Sequence, residues 1–128
     1  MTTITHVALW TRDLEAIASF WSSFFGAEVG EIYESRRRPG FRSRFLTLGD
    51  GPAFEIMEGP WVGQADPAEE RTGLAHVALS LGSEQAVEAM AARAEAKGIL
   101  VAKPRWTGDG FYEAVVRDPD GNLIEITI

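Results

Sequence analysis

The hexapeptides "THVALW" at residues 5–10 and "AHVALS" at residues 75–80 hold the only two histidines of a 128-residue chain. A shift of 70 residues superposes them. The same shift places Asp13 on Ser83, Asp50 on Asp120, Gly51 on Gly121 and Glu55 on Glu125, so "DGPAFEIME" and "DGNLIEITI" close the two halves alike. Self-similarity in a constant register is the mark of a duplicated supersecondary unit. It restricts the chain to folds made of two related modules.

Each module opens on a short β-branched or apolar run, residues 4–10 and 74–81, bounded by polar turn residues as a strand is. A helix follows each. Asp13 is placed to cap the first, Leu14, Ile17, Ala18, Trp21, Phe24 and Phe25 recur at helical spacing, and Gly26 is placed to stop it. In the second, Ser83 caps, Val87, Met90, Ala91 and Ala94 form a smaller stripe, and Gly98 stops it. Both stripes read as core packing. Residues 28–34, 41–48 and 53–58 read as three strands, and 99–103, 112–117 and 122–128 as their counterparts. "GDG" and "DPDGN" supply turn residues that tolerate positive φ. The pattern is an α+β fold of tandem βαβββ modules, over residues 1–58 and 74–128. "GPWVGQADPAEERTG" at 59–73 has the composition of an exposed linker.

Alternate residues of a strand share a face. Val7, Leu9, Phe54 and Ile56 are uniformly apolar and suit the helix, which leaves His6, Ala8 and Trp10, with Ala53, Glu55 and Met57, on the opposite side. In the second module, Val77, Leu79, Ile124 and Ile126 suit the helix, while His76 and Glu125 face away. A lone histidine on an apolar strand is ordinarily a hydrogen-bonded core residue. A Glu flanked by Phe54 and Ile56 asks for more, because a buried carboxylate needs a cation, a metal or a raised pKa. Both module copies keep both side chains. Two neutral imidazoles and two carboxylates balance a divalent cation, and a chain without cysteine must hold any metal through nitrogen and oxygen, a set suited to Zn, Ni, Co, Mn or Fe.

A chain of this length with 45% apolar residues can bury a sizeable core. Its net charge of -7 and pI near 4.8 disfavour nucleic acid, whose binding draws much of its affinity from Lys and Arg at phosphates. No run approaches the roughly 20 apolar residues that span a bilayer, and "MTTITHVALWTRD" lacks the pattern of a secretory signal. The expectation is a cytoplasmic protein with a small-molecule substrate and no membrane or nucleic-acid partner.

The stretches "HVALWTRDLEAIASFWSSFFGAEV", "FEIME", "AHVALS" and "DPDGNLIEI" resemble the vicinal oxygen chelate superfamily, which includes glyoxalase I, bleomycin-resistance proteins, methylmalonyl-CoA epimerase and extradiol dioxygenases. The resemblance covers nearly the whole chain. By it, His6, Glu55, His76 and Glu125 match the His, Glu, His, Glu metal set of bacterial-type glyoxalase I, and curved mixed sheets form a metal-centred cavity. It implies one divalent ion per site, chelating two neighbouring substrate oxygens, and a carboxylate that moves a proton. The matching glutamate of glyoxalase I makes Glu125 the first choice of base, with Glu55 its pseudosymmetric alternative. Short members commonly complete their cavities across a homodimer.

The resemblance therefore implies a metal-dependent lyase or isomerase acting on a small α-oxygenated carbonyl or thiohemiacetal. A bleomycin-type, antibiotic-binding resistance protein is the main alternative. A ring-cleaving dioxygenase fits less well, since it uses two His and one carboxylate with further pocket histidines. Trp10 stands where many glyoxalase I enzymes carry an Arg that contacts glutathione, and Trp10 and Met57 suit either a more apolar pocket wall or packing between modules. "ESRRRPGFRSR" gathers Arg36, Arg37, Arg38, Arg42 and Arg44. The run reads as a solvated loop and strand edge or, functionally, as a clamp in which Arg42 and Arg44 pair with an anionic substrate tail. "RWTGDGFYE" at 105–113 has the glycine content of a mobile loop beside a pocket.

Overall fold

The computed structural model describes residues 1–66 and 68–128; Pro67, inside the linker expected over 59–73, lies outside the described residues. The chain divides into two compact units, Met1–Ala65 and Asp66–Ile128. Each is a helix laid on one face of a curved, mixed sheet, an α+β arrangement.

In the first unit β1 (His6–Trp10) leads into α1 (Leu14–Phe25), followed by β2 (Glu28–Val29), β3 (Tyr33–Glu34), β4 (Arg42–Thr47) and β5 (Ala53–Glu58). Helix α1 starts where the sequence places its cap: Asp13 is extended and its carboxylate accepts the Ala16 N–H. It ends at Gly26, whose φ of 74° is the left-handed turn that glycine enters without steric cost. The sheet order is β1-β5-β4-β2, with β3 also pairing to β4. Strands β1 and β5 run parallel and the other pairs antiparallel.

The single strand expected over 28–34 is instead two short ones. Between them the Gly30 N–H still donates to the Phe45 carbonyl at 2.8 Å, while the Gly30 carbonyl turns to accept from Arg44 Nε. A side chain at 30 would press on the Phe45 carbonyl at 3.3 Å. The core of this unit joins Leu14, Ile17, Trp21 and Phe24 of the helix to Leu46, Phe54 and Ile56 of the sheet.

The second unit runs β6 (His76–Ser80), α2 (Glu84–Ala96), β7 (Leu100–Trp106), β8 (Tyr112–Arg117) and β9 (Leu123–Thr127), with sheet order β6-β9-β8-β7. Strand β6 pairs parallel with β9. Ser83 caps α2 by accepting the Ala86 N–H, and Lys97 closes it one residue before Gly98, which has φ 73°. Val87, Ala91 and Ala94 pack against Ala114, Val116, Ile124 and Ile126. Strand β7 extends past residue 103 to Trp106, through Pro104. An edge strand tolerates a missing N–H, and the β7–β8 register shifts on both sides of Ala102. "DPDGN" is a tight turn in which the buried Asp118 accepts the Asp120 and Asn122 backbone N–H groups and the Asn122 side-chain amide.

Candidate active-site faces

Strand pairing determines which side chains share the surface opposite each helix. In the first unit Ala8 pairs with Glu55 and Phe45 with Glu55, so His6, Trp10, Phe45, Glu55 and Met57 occupy one face. His6 Nε2 lies 3.9 Å from Glu55 Oε1, and the imidazole meets the Phe45 ring edge-on at 5.6 Å. In the second unit Ala78 and Val115 both pair with Glu125, which sets His76, Glu113 and Glu125 on the corresponding face. His76 Nε2 is 3.0 Å from Glu125 Oε1. In each pair the histidine is the more exposed partner, with its carboxylate four-fifths covered.

These separations bear on metal binding. Imidazole nitrogen and carboxylate oxygen each sit about 2.0–2.2 Å from a bound divalent ion, which puts adjacent ligand atoms roughly 3–3.5 Å apart. The His76–Glu125 pair, at 3.0 Å, already has that spacing, and the His6–Glu55 pair, at 3.9 Å, is slightly wider. Within each unit the pair is chemically suitable, offering one imidazole nitrogen and one carboxylate oxygen. Among the described residues no group of three or more His, Cys, Asp or Glu side chains gathers into a metal cluster.

Glu113 was not among the residues singled out in the sequence. It is buried on the His76 face, and its carboxyl is pushed up from the ordinary 4.5, first by burial and then by a hydrogen bond to Glu125 and repulsion from its charge; Arg105 opposes the shift. Arg105 Nη2 lies 3.7 Å from Glu113 Oε1, and its Nη1 donates to the Glu113 carbonyl. Glu113 therefore keeps its proton more readily than an exposed glutamate. The 70-residue shift places it on Ser43, a buried residue with no acidic counterpart. Strand alternation from Glu125 was the signal that could have found it.

Arg42 and Arg44 lie on the opposite face from His6. Arg42, registered opposite Glu58, contacts Glu58 at 3.1 Å and Glu34 at 3.4 Å, and Arg44, registered opposite Ile56, contacts Glu15 at 2.9 Å. Both are used in holding the sheet to its helix: Glu58, which Arg42 contacts, also accepts the Leu14 N–H at the start of α1. Trp10 and Met57 do share the His6 face. Trp10 meets Phe41 and Trp61 edge-on at 6.1 and 6.3 Å. Trp61, from the segment read as linker, belongs to the first unit. The stretch "RWTGDGFYE" is the β7–β8 hairpin, with the Thr107 N–H donating to the Phe111 carbonyl.

The sequence profile of the Glyoxalase/Bleomycin resistance protein/Dioxygenase superfamily matches residues 3–126. The chain belongs to that superfamily. An uncharacterized Pseudomonas aeruginosa protein, PA2024, is 35% identical over 98% of this chain and 87% of its own length. The fold is similar to a glyoxylase/bleomycin resistance protein/dioxygenase domain from Frankia sp. EAN1pec, at TM-score 0.83 and 18% identity over 100% of this chain and 98% of that one. It is also similar to the trypanothione-dependent glyoxalase I of Leishmania major, at TM-score 0.78 and 19% identity over 99% and 86% of the two chains. Glyoxalase I from Zea mays gives TM-score 0.78 and 22% identity over 97% of this chain but 43% of that one. In this chain the duplicated positions fall on comparable strands of the two units, the histidines on β1 and β6 and the glutamates on β5 and β9. No helix among the described residues is long and apolar enough to cross a membrane.

Proposed function

We propose that the protein is a divalent-metal-dependent, glyoxalase-like lyase or isomerase that moves a proton in a small α-oxygenated carbonyl or thiohemiacetal compound. One observation carries this reading: each unit presents a His–Glu pair on the sheet face opposite its helix, in repeat-equivalent positions, within a superfamily that includes glyoxalase I. His6, Glu55, His76 and Glu125 form the proposed ligand set for one ion, and the two modules of a site are completed in a homodimer.

A bound divalent ion supplies Lewis-acid polarisation of two neighbouring substrate oxygens. The chain's residues supply the rest. Glu125 takes the proton from the hydroxyl-bearing carbon next to the carbonyl and returns it to the former carbonyl carbon, while the hydroxyl proton passes to the former carbonyl oxygen, so the isomerisation closes with no net gain or loss of protons. Glu113 steadies the Glu125 carboxylate through their hydrogen bond, and Glu55 is the alternative base. Phe45, Trp10 and Met57 line the His6 face with apolar surface against which the carbon skeleton of a substrate can pack.

The test is solvent-deuterium exchange into methylglyoxal–thiol adducts and other α-oxygenated carbonyls, with elemental analysis of the purified protein. One metal ion per pair of modules and exchange abolished by Glu125→Gln, with metal retained, support the reading. Loss of exchange in Glu55→Gln alone moves the base to Glu55. Metal-free protein that takes up no divalent ion tightly, with His6→Ala unchanged from wild type, removes the metal-dependent reading. The exposed aromatic rings around Trp10 favour, as a second reading, a protein that binds a small molecule without turnover. Saturable ligand binding with no exchange by any metal-loaded form would select it.

A further inference from the structure

Of the arginines in the 36–44 run, Arg38 is held in a different way from Arg42 and Arg44. Its guanidinium lies over Trp61, 3.9 Å from the ring centroid, and 5.7 Å from that of Trp10. Stacking occupies the flat face of the guanidinium and leaves its edge N–H donors directed outward. Arg42, Arg44, Arg71 and Arg105 each contact a carboxylate. Arg38 contacts rings.

The rings around it are placed by the backbone. Trp61 folds back over Gly59 so closely that any Cβ there would overlap its indole, and Pro60 fills the space beside Gly40, where a Cβ would come within 2.7 Å of the Pro60 ring. Gly40 has φ 90°, which a side chain would oppose as well. Phe41 meets Trp10 on one side and Tyr33 on the other. The result is a cationic edge framed by aromatic surface that is still open to solvent, with Trp10 44% and Trp61 41% exposed. Exposed aromatic surface grouped around a fixed charge suits a ligand of mixed character.

Trp10 stands on the same strand and face as His6, four residues along, or about 13 Å at strand spacing. That span takes an aryl ring carrying a chain at either end. We infer that the Trp10–Phe41–Trp61 rings and Arg38 form the recognition end of the substrate site, and that the substrate is an apolar, preferably aryl, compound ending in a carboxylate. The carboxylate pairs with the guanidinium edge, the apolar body packs on Trp10 and Phe41, and the carbonyl end extends toward His6 and Glu55. The assignment rests on the proposed use of the His6 face as the substrate side.

The test is titration of chelator-treated, full-length protein with 3-phenylpropanoate and its neutral counterpart 3-phenylpropan-1-ol, followed by quenching of tryptophan fluorescence. Saturable binding of the acid, about tenfold or more tighter than the alcohol, is expected for a charge-assisted guanidinium–carboxylate pair. Arg38→Met removes that preference while Arg38→Lys keeps part of it, and Gly59→Ala weakens the acid by displacing Trp61. His6→Ala and Glu125→Gln leave the acid's affinity unchanged. Loss of metal-dependent exchange in those two variants with binding intact separates this inference from the catalytic one. Equal binding of acid and alcohol, an unaltered preference in Arg38→Met, or no saturable quenching overturns it. So does light scattering that shows a dimer dissociated by Trp10→Ser, with neither probe bound by wild type, since the rings would then be an interface between two copies.

Discussion

Glu113 and Glu125 are two carboxyls joined by a hydrogen bond on one face of a sheet, with His76 Nε2 3.0 Å from Glu125 on its other side. While Glu113 is protonated it can donate to the Glu125 carboxylate, and a group so placed holds its neighbour in one orientation. In a metal site this is the role of an outer-shell partner.

Metal affinity should therefore depend on Glu113 as well as on the proposed ligands. Glu113→Leu is expected to weaken divalent-ion binding by roughly 10–100-fold, the usual cost of losing an outer-shell hydrogen bond, while Glu113→Gln keeps a donor and most of the affinity. Competition against a colorimetric chelator measures both. Equal affinities in the leucine variant and the wild type would remove Glu113 from the site.

Stability should fall as pH rises through the acid range. The carboxyls of Glu113 and Asp118 are both raised in the folded chain, chiefly by burial, so the folded state holds these protons more tightly than the unfolded state. Their protonation stabilises the fold fully below the ordinary values of 4.5 and 3.8, and that contribution is lost as pH climbs through the raised values. Glu113→Gln should flatten this fall and leave the Asp118 part. Urea midpoints of wild type and variant, compared from pH 4 upward, give the slope directly.

Trp21 is fully buried and stacks obliquely on Phe54 at 5.2 Å and Phe25 at 4.9 Å. Trp21→Ala should cost about 3–5 kcal/mol, as large-to-small changes of a buried aromatic do. Chemical unfolding monitored by far-UV circular dichroism measures it. A cost below about 1 kcal/mol would mean that the helix of the first unit does not depend on this contact.

Glu58 joins three segments through one carboxylate, accepting the Leu14 N–H at 2.9 Å and the Arg42 guanidinium at 3.1 Å. Glu58→Ala leaves a helix-end donor and a half-buried arginine without this acceptor, and should lower stability by about 1–3 kcal/mol. Glu58→Gln retains an acceptor and should cost less. The order of the two melting temperatures checks the assignment.

Much of this was legible in the chain because the module is written twice. Asp13 and Gly26 mark the ends of α1 in the sequence and do so in the fold, and the alternation around Glu55 and Glu125 gives the face on which each lies. Glu113 escaped because its repeat counterpart is Ser43, so comparison of the halves is silent there. Trp61 escaped for another reason. Its Gly, Pro and acidic neighbours have linker composition, and it is the closeness of its ring to Gly59, Arg38 and Trp10 that draws it into the first unit. The two arginines of β4 point away from His6 because Leu46, Phe54 and Ile56 fix the helix side, and period-two alternation then carries Arg42 and Arg44 to that same side. The break at Gly30 goes with its carbonyl accepting from Arg44 Nε, a partner 14 residues away that local propensity does not register.

The parallel pairing of β1 with β5 has a kinetic meaning. His6 is registered with Ala53, so the first strand of the unit finds its central neighbour only after the last strand exists. Contacts of such long sequence separation slow folding and make it cooperative. On the ribosome, β1 would wait without its principal partner until residues 53–58 emerge, with the apolar side chains of Val7 and Leu9 unsheltered meanwhile. The second unit repeats the arrangement, with His76 registered to Leu123. Each half therefore completes its fold at its own last strand, and the chain has two separate commitments to make during synthesis rather than one.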